Sequence, residues 1–470
     1  MGARRFTLLL ALGALLRLAA LPLVGTYDVE AWREWSATAA RDLGGIYRAG
    51  QTITPAFSYP PVSAYEFAAI GHANRLLDPD GASPRAFSVL IKLPGVVAEL
   101  ALFAVILIWG VPRFGATTAR RMAIALWLNP AMVLAGSVLG YLDAQAAIPS
   151  VLAVFAAAAG SPAAAGALAL MAALTKPQAV FVLPAIAIVL WRHSPRQALI
   201  AAGAGAAFAG ASFAFFAWRG GLAPIWRSIA DNIPDMVSGQ AANVWWVLTW
   251  WVQRSSGVAV GVRSAADLAA SGYPGVNALG VGLAGVTLLW GLWRSRRVTT
   301  IDDGALCAAW CVHAYATLSI AVHENHLALA VPFLMVAAGL RRELRPLAAA
   351  VTLIVTANMA LFYGFGEAGW RLTPSYARTV IPGIAAGVII LGFRTARDLP
   401  RAAWLAAAGV AAVAAGVFLA RGVPHSLETI RMVTGVDATM LLALLNIAVF
   451  AWHTRVLWQV TATESASIPP

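Results

Sequence analysis

Apolar residues in this chain gather in long unbroken runs separated by short clusters of Arg, Pro and Gly. A run of about 20 apolar residues is what a helix needs to cross the hydrocarbon layer of a bilayer. The first run is Phe6 to Val24, behind Arg4 and Arg5. Its basic start resembles a secretory signal, but so many runs follow that we read it as an uncleaved first span. Further spans are expected near 88–109, 121–139, 143–160, 162–175, 177–191, 197–218, 274–293, 304–322, 325–340, 346–364, 376–393, 402–420 and 437–454. The pattern predicts an all-α polytopic membrane protein of about 12 to 14 transmembrane helices, most simply about fourteen.

Two long stretches break the rhythm. Residues 25–88 carry Asp28, Glu30, Glu34, Asp42, Glu66, Asp78 and Asp80 among aromatics and prolines. Within them 60–77 is apolar enough to invite a span, but Glu66, His72, Asn74 and Arg75 interrupt it, so a helix lying at the membrane surface is expected. Residues 219–273 form the second long loop, and Trp245, Trp246, Trp250 and Trp251 suit the bilayer interface. Within it 244–262 is borderline for crossing. Basic residues favour the cytoplasmic side. If neither stretch crosses, Arg113/Arg120/Arg121, Arg192/Arg196, Arg294/Arg296/Arg297, Arg341/Arg342/Arg345 and Arg394/Arg397/Arg401 all share the side of Arg4 and Arg5. The N-terminus and the polar tail, 459–470, are then cytoplasmic, 25–88 and 219–273 lie outside, and residues 1–470 make one membrane domain.

Composition excludes the other classes. Of 470 residues, 60% are hydrophobic and 11% charged, and mean hydropathy is +0.74. Soluble domains carry about 25% charged residues, so there is too little polar surface for a soluble enzyme and too much apolar mass for disorder. The net charge of +12 would suggest nucleic acid in a soluble protein. Here it collects in the inside loops and reads as orientation, so no nucleic-acid partner is expected. Cys307 and Cys311, four apart in an apolar run, read as helix neighbours in a packed bundle. Arg17 inside the first span should face protein or water. Lys92 and Glu99, seven apart, share a helix face and read as a structural pair, with Lys92 near enough to the outer end to reach an anionic headgroup.

Candidate chemistry gathers in the outer connections. Asp28 and Glu30 follow the first span; on a strand or turn they face one way, on a helix they diverge. A carboxylate at a membrane surface can act as general base on a hydroxyl, or can open a helix as its N-cap. Tyr59-Pro60-Pro61 reads as a helix start. Tyr141-Leu142-Asp143 is either a capped turn or part of a site. Thr175-Lys176-Pro177-Gln178 offers one of two lysines in the chain, which can snorkel to headgroups. His323-Glu324-Asn325-His326 lacks the i, i+4 histidines of a zinc helix; its histidines, three apart, can share a face and donate hydrogen bonds to a phosphate, or the segment is an ordinary polar turn. In the chosen topology all of these lie outside.

In their order these motifs resemble the GT-C superfamily of integral-membrane glycosyltransferases, which use lipid-phosphate sugars as donors. Asp28-Val29-Glu30-Ala31, Trp35, Tyr59-Pro60-Pro61-Val62-Ser63-Ala64-Tyr65 and Val322-His323-Glu324 are similar to motifs of the dolichyl-phosphate-glucose-dependent glucosyltransferases. Lys176-Pro177-Gln178 and Asn243-Val244-Trp245-Trp246 resemble motifs of bacterial members, including polyprenyl-phosphate-mannose mannosyltransferases. The match is strongest over 26–65. Ser58 stands where the eukaryotic glucosyltransferases carry Asp, which leaves the sugar open between mannose and glucose. An Ala-rich chain almost without Lys fits a bacterial plasma membrane. The resemblance implies inverting transfer of a hexose from a polyprenyl-phosphate sugar to a lipid-linked or envelope glycan. Asp28 would be the base, Glu30, Tyr59 and Asp143 would hold the acceptor or sugar, and His323, His326, Lys92, Lys176 and Arg378 would face the donor phosphate. It implies no cofactor and no metal. A transporter or flippase of envelope biosynthesis is the competing class, and an assembly scaffold a third. No internal repeat favours transport, and the polar clusters lie at one face rather than at mid-depth.

Overall fold

The computed structural model describes residues 2–23, 25–48, 56–81, 83–231, 235–256, 264–298, 300–363 and 438–466. The expected spans 376–393 and 402–420, and Arg378 with them, lie outside the described residues. Among the described residues the secondary structure is helical, with two isolated bridges and no strand. In chain order the helices are α1 (Ala3–Ala20), α2 (Tyr27–Arg41), α3 (Pro61–Leu77), α4 (Pro84–Phe114), α5 (Ala116–Trp127), α6 (Pro130–Met132), α7 (Asp143–Ala158), α8 (Pro162–Thr175), α9 (Leu183–His193), α10 (Pro195–Gly220), α11 (Ala223–Asp231), α12 (Val244–Ser256), α13 (Ala265–Ala270), α14 (Val276–Arg294), α15 (Ile301–Leu318), α16 (Ala330–Leu340), α17 (Arg345–Tyr363) and α18 (Ala438–Ala466).

Five stretches are long and apolar enough to cross a membrane: Pro84–Phe114, Ala116–Leu139, Pro195–Gly220, Val276–Arg294 and Thr439–Thr461. Shorter apolar helices, such as Asp143–Ala158 and Pro162–Thr175, pack between them. Large apolar side chains stand exposed on α1, α4 and α14, among them Leu8, Leu15, Ile108, Val286 and Leu289. Apolar faces of this extent demand a nonpolar surrounding, so the chain has the character of a multi-pass membrane protein. At the centre α15 is buried almost throughout and packs against α7, α9, α14, α16 and α18. Cys307 and Cys311 are free and buried within it.

The charges inside the bundle follow a different pairing from the one expected. Arg17 is buried and bonds Glu99 through Nε at 2.7 Å and through Nη2. Its Nη1 donates to the Trp127 carbonyl at 2.7 Å, and the guanidinium lies 3.7 Å from the Trp127 ring centroid. Glu99 therefore belongs to Arg17 and not to Lys92. The Lys92 ammonium instead donates to the carbonyls of Ala20, Leu23 and Val138 at 3.3, 2.6 and 3.1 Å. Three donors meet three acceptors, tying the end of α1 to α4 and to the π-helix Val133–Leu139.

The two long loops are built structures. Pro60-Pro61 opens α3, whose 17 residues pack against α2. In the borderline stretch, α12 accounts for the 13 residues Val244–Ser256. Trp245 and Trp246 were expected at the lipid interface but are buried in protein: their indole N–H groups donate to the Leu318 carbonyl at 2.7 Å and the Thr439 hydroxyl at 2.8 Å. Trp251 remains exposed.

Candidate active site

Two glycines fix the site's first wall. Gly25 and Gly140 both have φ of +84°, a region that disfavours any residue with a Cβ. A Cβ on Gly25 would stand 2.6 Å from the Leu139 carbonyl oxygen, and one on Gly140 would stand 2.9 Å from Val29 Cγ2. The two turns therefore touch backbone to backbone, and Thr26 N–H donates to the Leu139 carbonyl at 3.0 Å. This contact sets the start of α2 beside Tyr141 and the start of α7. The π-helix that ends at Gly140 supplies the distortion; such turns concentrate where a helix must be re-aimed.

Asp28 lies in the first turn of α2, and Thr26, not Asp28, takes the N-cap position. Because 27–41 is helical, Glu30 points about 200° round the axis from Asp28. The two carboxylates do not share a face. Aromatic rings floor the space beside Asp28. Trp35 meets Phe57, Tyr59 and Phe67 at centroid distances of 5.1, 5.4 and 5.7 Å, and Trp32 packs edge-on against Tyr141 at 6.5 Å. Trp32 also stands beside the Tyr59 phenol. Burial, with Asp28 and Asp143 adding to it, pushes that phenol well above its ordinary value, so Tyr59 stays a neutral donor.

The opposite wall comes from three separated segments. Lys176, at the end of α8, holds Asp143 Oδ1 at 2.7 Å, and Asn325 Nδ2 donates to Asp143 Oδ2 at 2.9 Å. All three are buried, so Lys176 does not snorkel. The Tyr141 hydroxyl donates to Glu324 Oε1, and Asn358 Nδ2 donates to the Glu324 carbonyl at 3.1 Å. His326 is held on both nitrogens. Its Nδ1 accepts from the His323 backbone N–H at 3.3 Å and lies 3.0 Å from the Tyr315 hydroxyl. That makes the neutral ring the Nε2–H tautomer, a donor once the Gln178 amide, 3.0 Å from Nε2, turns its oxygen toward the ring. His323, by contrast, leaves 42% of its side chain exposed, with Nδ1 3.9 Å from Glu324 Oε2.

The second long loop clamps this turn. Gly239 N–H donates to the Val322 carbonyl at 2.8 Å, Glu324 N–H returns a bond to Gly239 at 3.2 Å, and Ala321 N–H donates to Met236 at 3.1 Å. The flanking residues Gln240 and Ala321 hold positive φ of 66° and 55°, a strain sustained only where the surroundings fix it. Beside His323 and Glu324 opens a cleft with about 250 Å³ of empty space, part of it solvent, with Asn358, Asn446, Leu327 and Val355 along it.

The electrostatics converge on one group. Burial raises the Asp28 carboxyl to about 6, helped by the negative charges of Glu324 and Asp143 and opposed by His323 and Lys176. Burial lowers the His323 imidazole below its ordinary value, against the pull of Asp28, which leaves it neutral at pH 7. Asp28, Tyr59, Asp143, Lys176, His323 and His326 are thus brought together. Lys92 is not: although its stem lies near Gly140, its ammonium is taken up by the carbonyls of Ala20, Leu23 and Val138. Tyr315 and Asn358 were not foreseen, and nothing local in the sequence marks them; Tyr141, Gln178, Glu324 and Asn325 stood within the candidate motifs but without a role of their own.

The arrangement offers a carboxylate that ionises near neutrality, a neutral phenol and imidazole as donors, and a buried ammonium. These can remove a proton from a hydroxyl and receive charge on a leaving group. Compared with models of known protein families and with curated proteins, the chain matches none.

Proposed function

We propose that the chain is an inverting glycosyltransferase of the GT-C type, with about fourteen spans and its site on the outer side of a bacterial plasma membrane. It transfers a hexose from a polyprenyl-phosphate sugar to a lipid-linked or envelope glycan. The observation that carries the reading is the convergence of Asp28 with the Asp143–Lys176 pair and the His323–His326 turn, from segments up to about 300 residues apart, around a carboxyl raised to about 6.

In the reaction Asp28 takes the proton of an acceptor hydroxyl. The oxygen attacks the anomeric carbon in line as the bond from that carbon to the phosphate oxygen breaks. Its electron pair leaves with polyprenyl phosphate, and the anomeric configuration inverts. A base with a pKa near 6 is mostly ionised at pH 7 yet basic enough to accept a proton. Charge growing on the leaving phosphate meets the exposed His323 N–H, backed by the Lys176 ammonium. Tyr59 and Asp143 hold sugar hydroxyls, and the buried Trp32 and Trp35 rings support Tyr141 and Tyr59 from behind.

The test supplies purified protein with radiolabelled polyprenyl-phosphate mannose or glucose and total envelope lipids. Label should pass to a lipid or glycan with the wild-type chain and not with Asp28→Asn. Near-normal transfer by a folded Asp28→Asn protein removes Asp28 from the role of base, and no transfer from any donor removes the reading.

A further inference from the structure

Glu324 has no part in the mechanism above, yet packing connects it to the turn that carries Asp28. Val29 touches Gly140, so the first turn of α2 rests on the Gly140–Tyr141 turn. Trp32, one helical turn after Asp28, packs on the Tyr141 ring. The Tyr141 hydroxyl donates to Glu324 Oε1. A single side chain thus links the Asp28 turn to the Glu324 carboxylate. Glu324 is itself pinned at both backbone ends: its N–H bonds Gly239, and its carbonyl accepts from Asn358. Its side chain is 2% exposed.

We propose that the Glu324 carboxylate is a positioning residue that acts through Asp28, its negative charge making Asp28 a stronger proton acceptor. Two carboxylates near each other in a water-poor site resist being ionised together, so each holds a proton more tightly than it would alone. The other charged and titratable groups facing Asp28 act in smaller measure. Asp143 from α7 pushes the same way but is offset by Lys176, to which it is bonded. Lys176 at the end of α8 and His323 beside Glu324 push the other way. Tyr59, ahead of α3, is neutral and contributes no charge. Glu324 is the largest of these charges at Asp28. Tyr141 carries no charge of its own: its ring packs on Trp32, and its hydroxyl satisfies an oxygen of Glu324 without neutralising it.

The inference rests on the reading of Asp28 as base, but its test does not need turnover. The full chain in lipid nanodiscs is titrated by infrared difference spectroscopy. The Asp28 carboxyl band is the one lost in Asp28→Asn, and in the wild type its midpoint should lie at about 6. Glu324→Gln keeps an acceptor for Tyr141 but removes the charge, and should lower the midpoint by about half a pH unit or more. Glu324→Asp, which restores the charge, and Tyr141→Phe, which loses only the hydrogen bond, should leave it near the wild-type position. An unmoved midpoint in Glu324→Gln overturns the proposal, as does an equal shift in Tyr141→Phe. Sugar transfer is measured on the same samples. Absence of transfer by the wild type with the infrared shift present rejects the glycosyltransferase reading while the coupling of Glu324 to Asp28 stands.

Discussion

The Lys176–Asp143 pair offers the most direct measure of how tightly the site is built. Its partners lie 2.7 Å apart, each 3% exposed. At that distance, with an effective dielectric of about 20, the gross attraction is about 6 kcal/mol. Most of it offsets the loss of hydration of the two ions. Removing one partner leaves the other as a bare buried charge, which generally costs about 3–5 kcal/mol. Lys176→Met should fall at the lower end, because Asn325 still donates to Asp143 Oδ2 at 2.9 Å, and a hydrogen bond to a charged group contributes about 1.5–3 kcal/mol. We therefore expect a loss of about 3 kcal/mol in Lys176→Met. The double variant Lys176→Met with Asp143→Asn removes the charge as well and should recover at least about half of that, as buried pairs replaced together are often near neutral. The assay is equilibrium unfolding in mixed micelles followed by tryptophan fluorescence, with both single variants and the double. Equal destabilisation in Lys176→Met and the double variant would refute the reasoning, since the cost would then come from packing around the lysine stem and not from a stranded carboxylate.

Other outcomes follow from the same geometry. Transfer activity should rise with pH through a single ionisation near 6: the active form of Asp28 is the carboxylate, present above its pKa and protonated below it, so a rate independent of pH between 5 and 7.5 (about one unit or more on each side) would count against Asp28. Gly140→Ala forces a Cβ to within 2.9 Å of Val29 and 3.1 Å of Lys92 at a φ of +84°; a loss of about 2 kcal/mol or more is expected, and wild-type stability would mean the α2 and α7 turns are not in contact. Topology is checked with an impermeant thiol reagent on intact cells. Asp80→Cys should react from outside and Glu343→Cys only after lysis, while Cys307 and Cys311 stay silent because they are buried.

How far the fold was legible depended on whether the signal was local. Helix positions largely were: among the described residues each apolar run is mainly helical, although 121–139 divides into α5, α6 and the π-helix and 177–191 and 325–340 begin with 3-10 turns, and Pro61, Pro84, Pro162 and Pro195 each open a helix, because apolar runs and proline's fixed φ act within one segment. The wrong partner for Glu99 shows the limit. Lys92 shares its helix face and was the obvious choice by spacing. Arg17, 82 residues earlier, won because its planar fork matches a carboxylate while also reaching the Trp127 carbonyl and ring. A lysine ammonium is equally content among three carbonyls. Tryptophan 245 and 246 misled for a related reason: an indole suits a lipid interface and a protein interior alike, and only the position of the Leu318 carbonyl and Thr439 hydroxyl decides between them.

The candidate site was legible as a set of pieces and illegible as a set of contacts. Asp28, Asp143, Lys176 and His323–His326 stood out because ionisable groups beside apolar spans are expensive and therefore informative. What spacing could not give is the division of labour among them. Two histidines three apart looked equivalent. The clamp by Gly239, with strain at Gln240 and Ala321, turns one outward and buries the other between Tyr315 and Gln178. Lysine 176 looked like a free cation for a phosphate, whereas Asp143 and Asn325 take up its charge in a closed triad. A buried ammonium already paired with a carboxylate attracts an anion weakly until something competes for its partner. If sugar hydroxyls reach Asp143, they do so at the expense of its bond to Lys176, and the ammonium then turns its field toward the phosphate. Donor binding at one end of the pair and charge stabilisation at the other would then be a single event, which is why Asp143→Asn should impair both sugar affinity and the rate of the chemical step, rather than either alone.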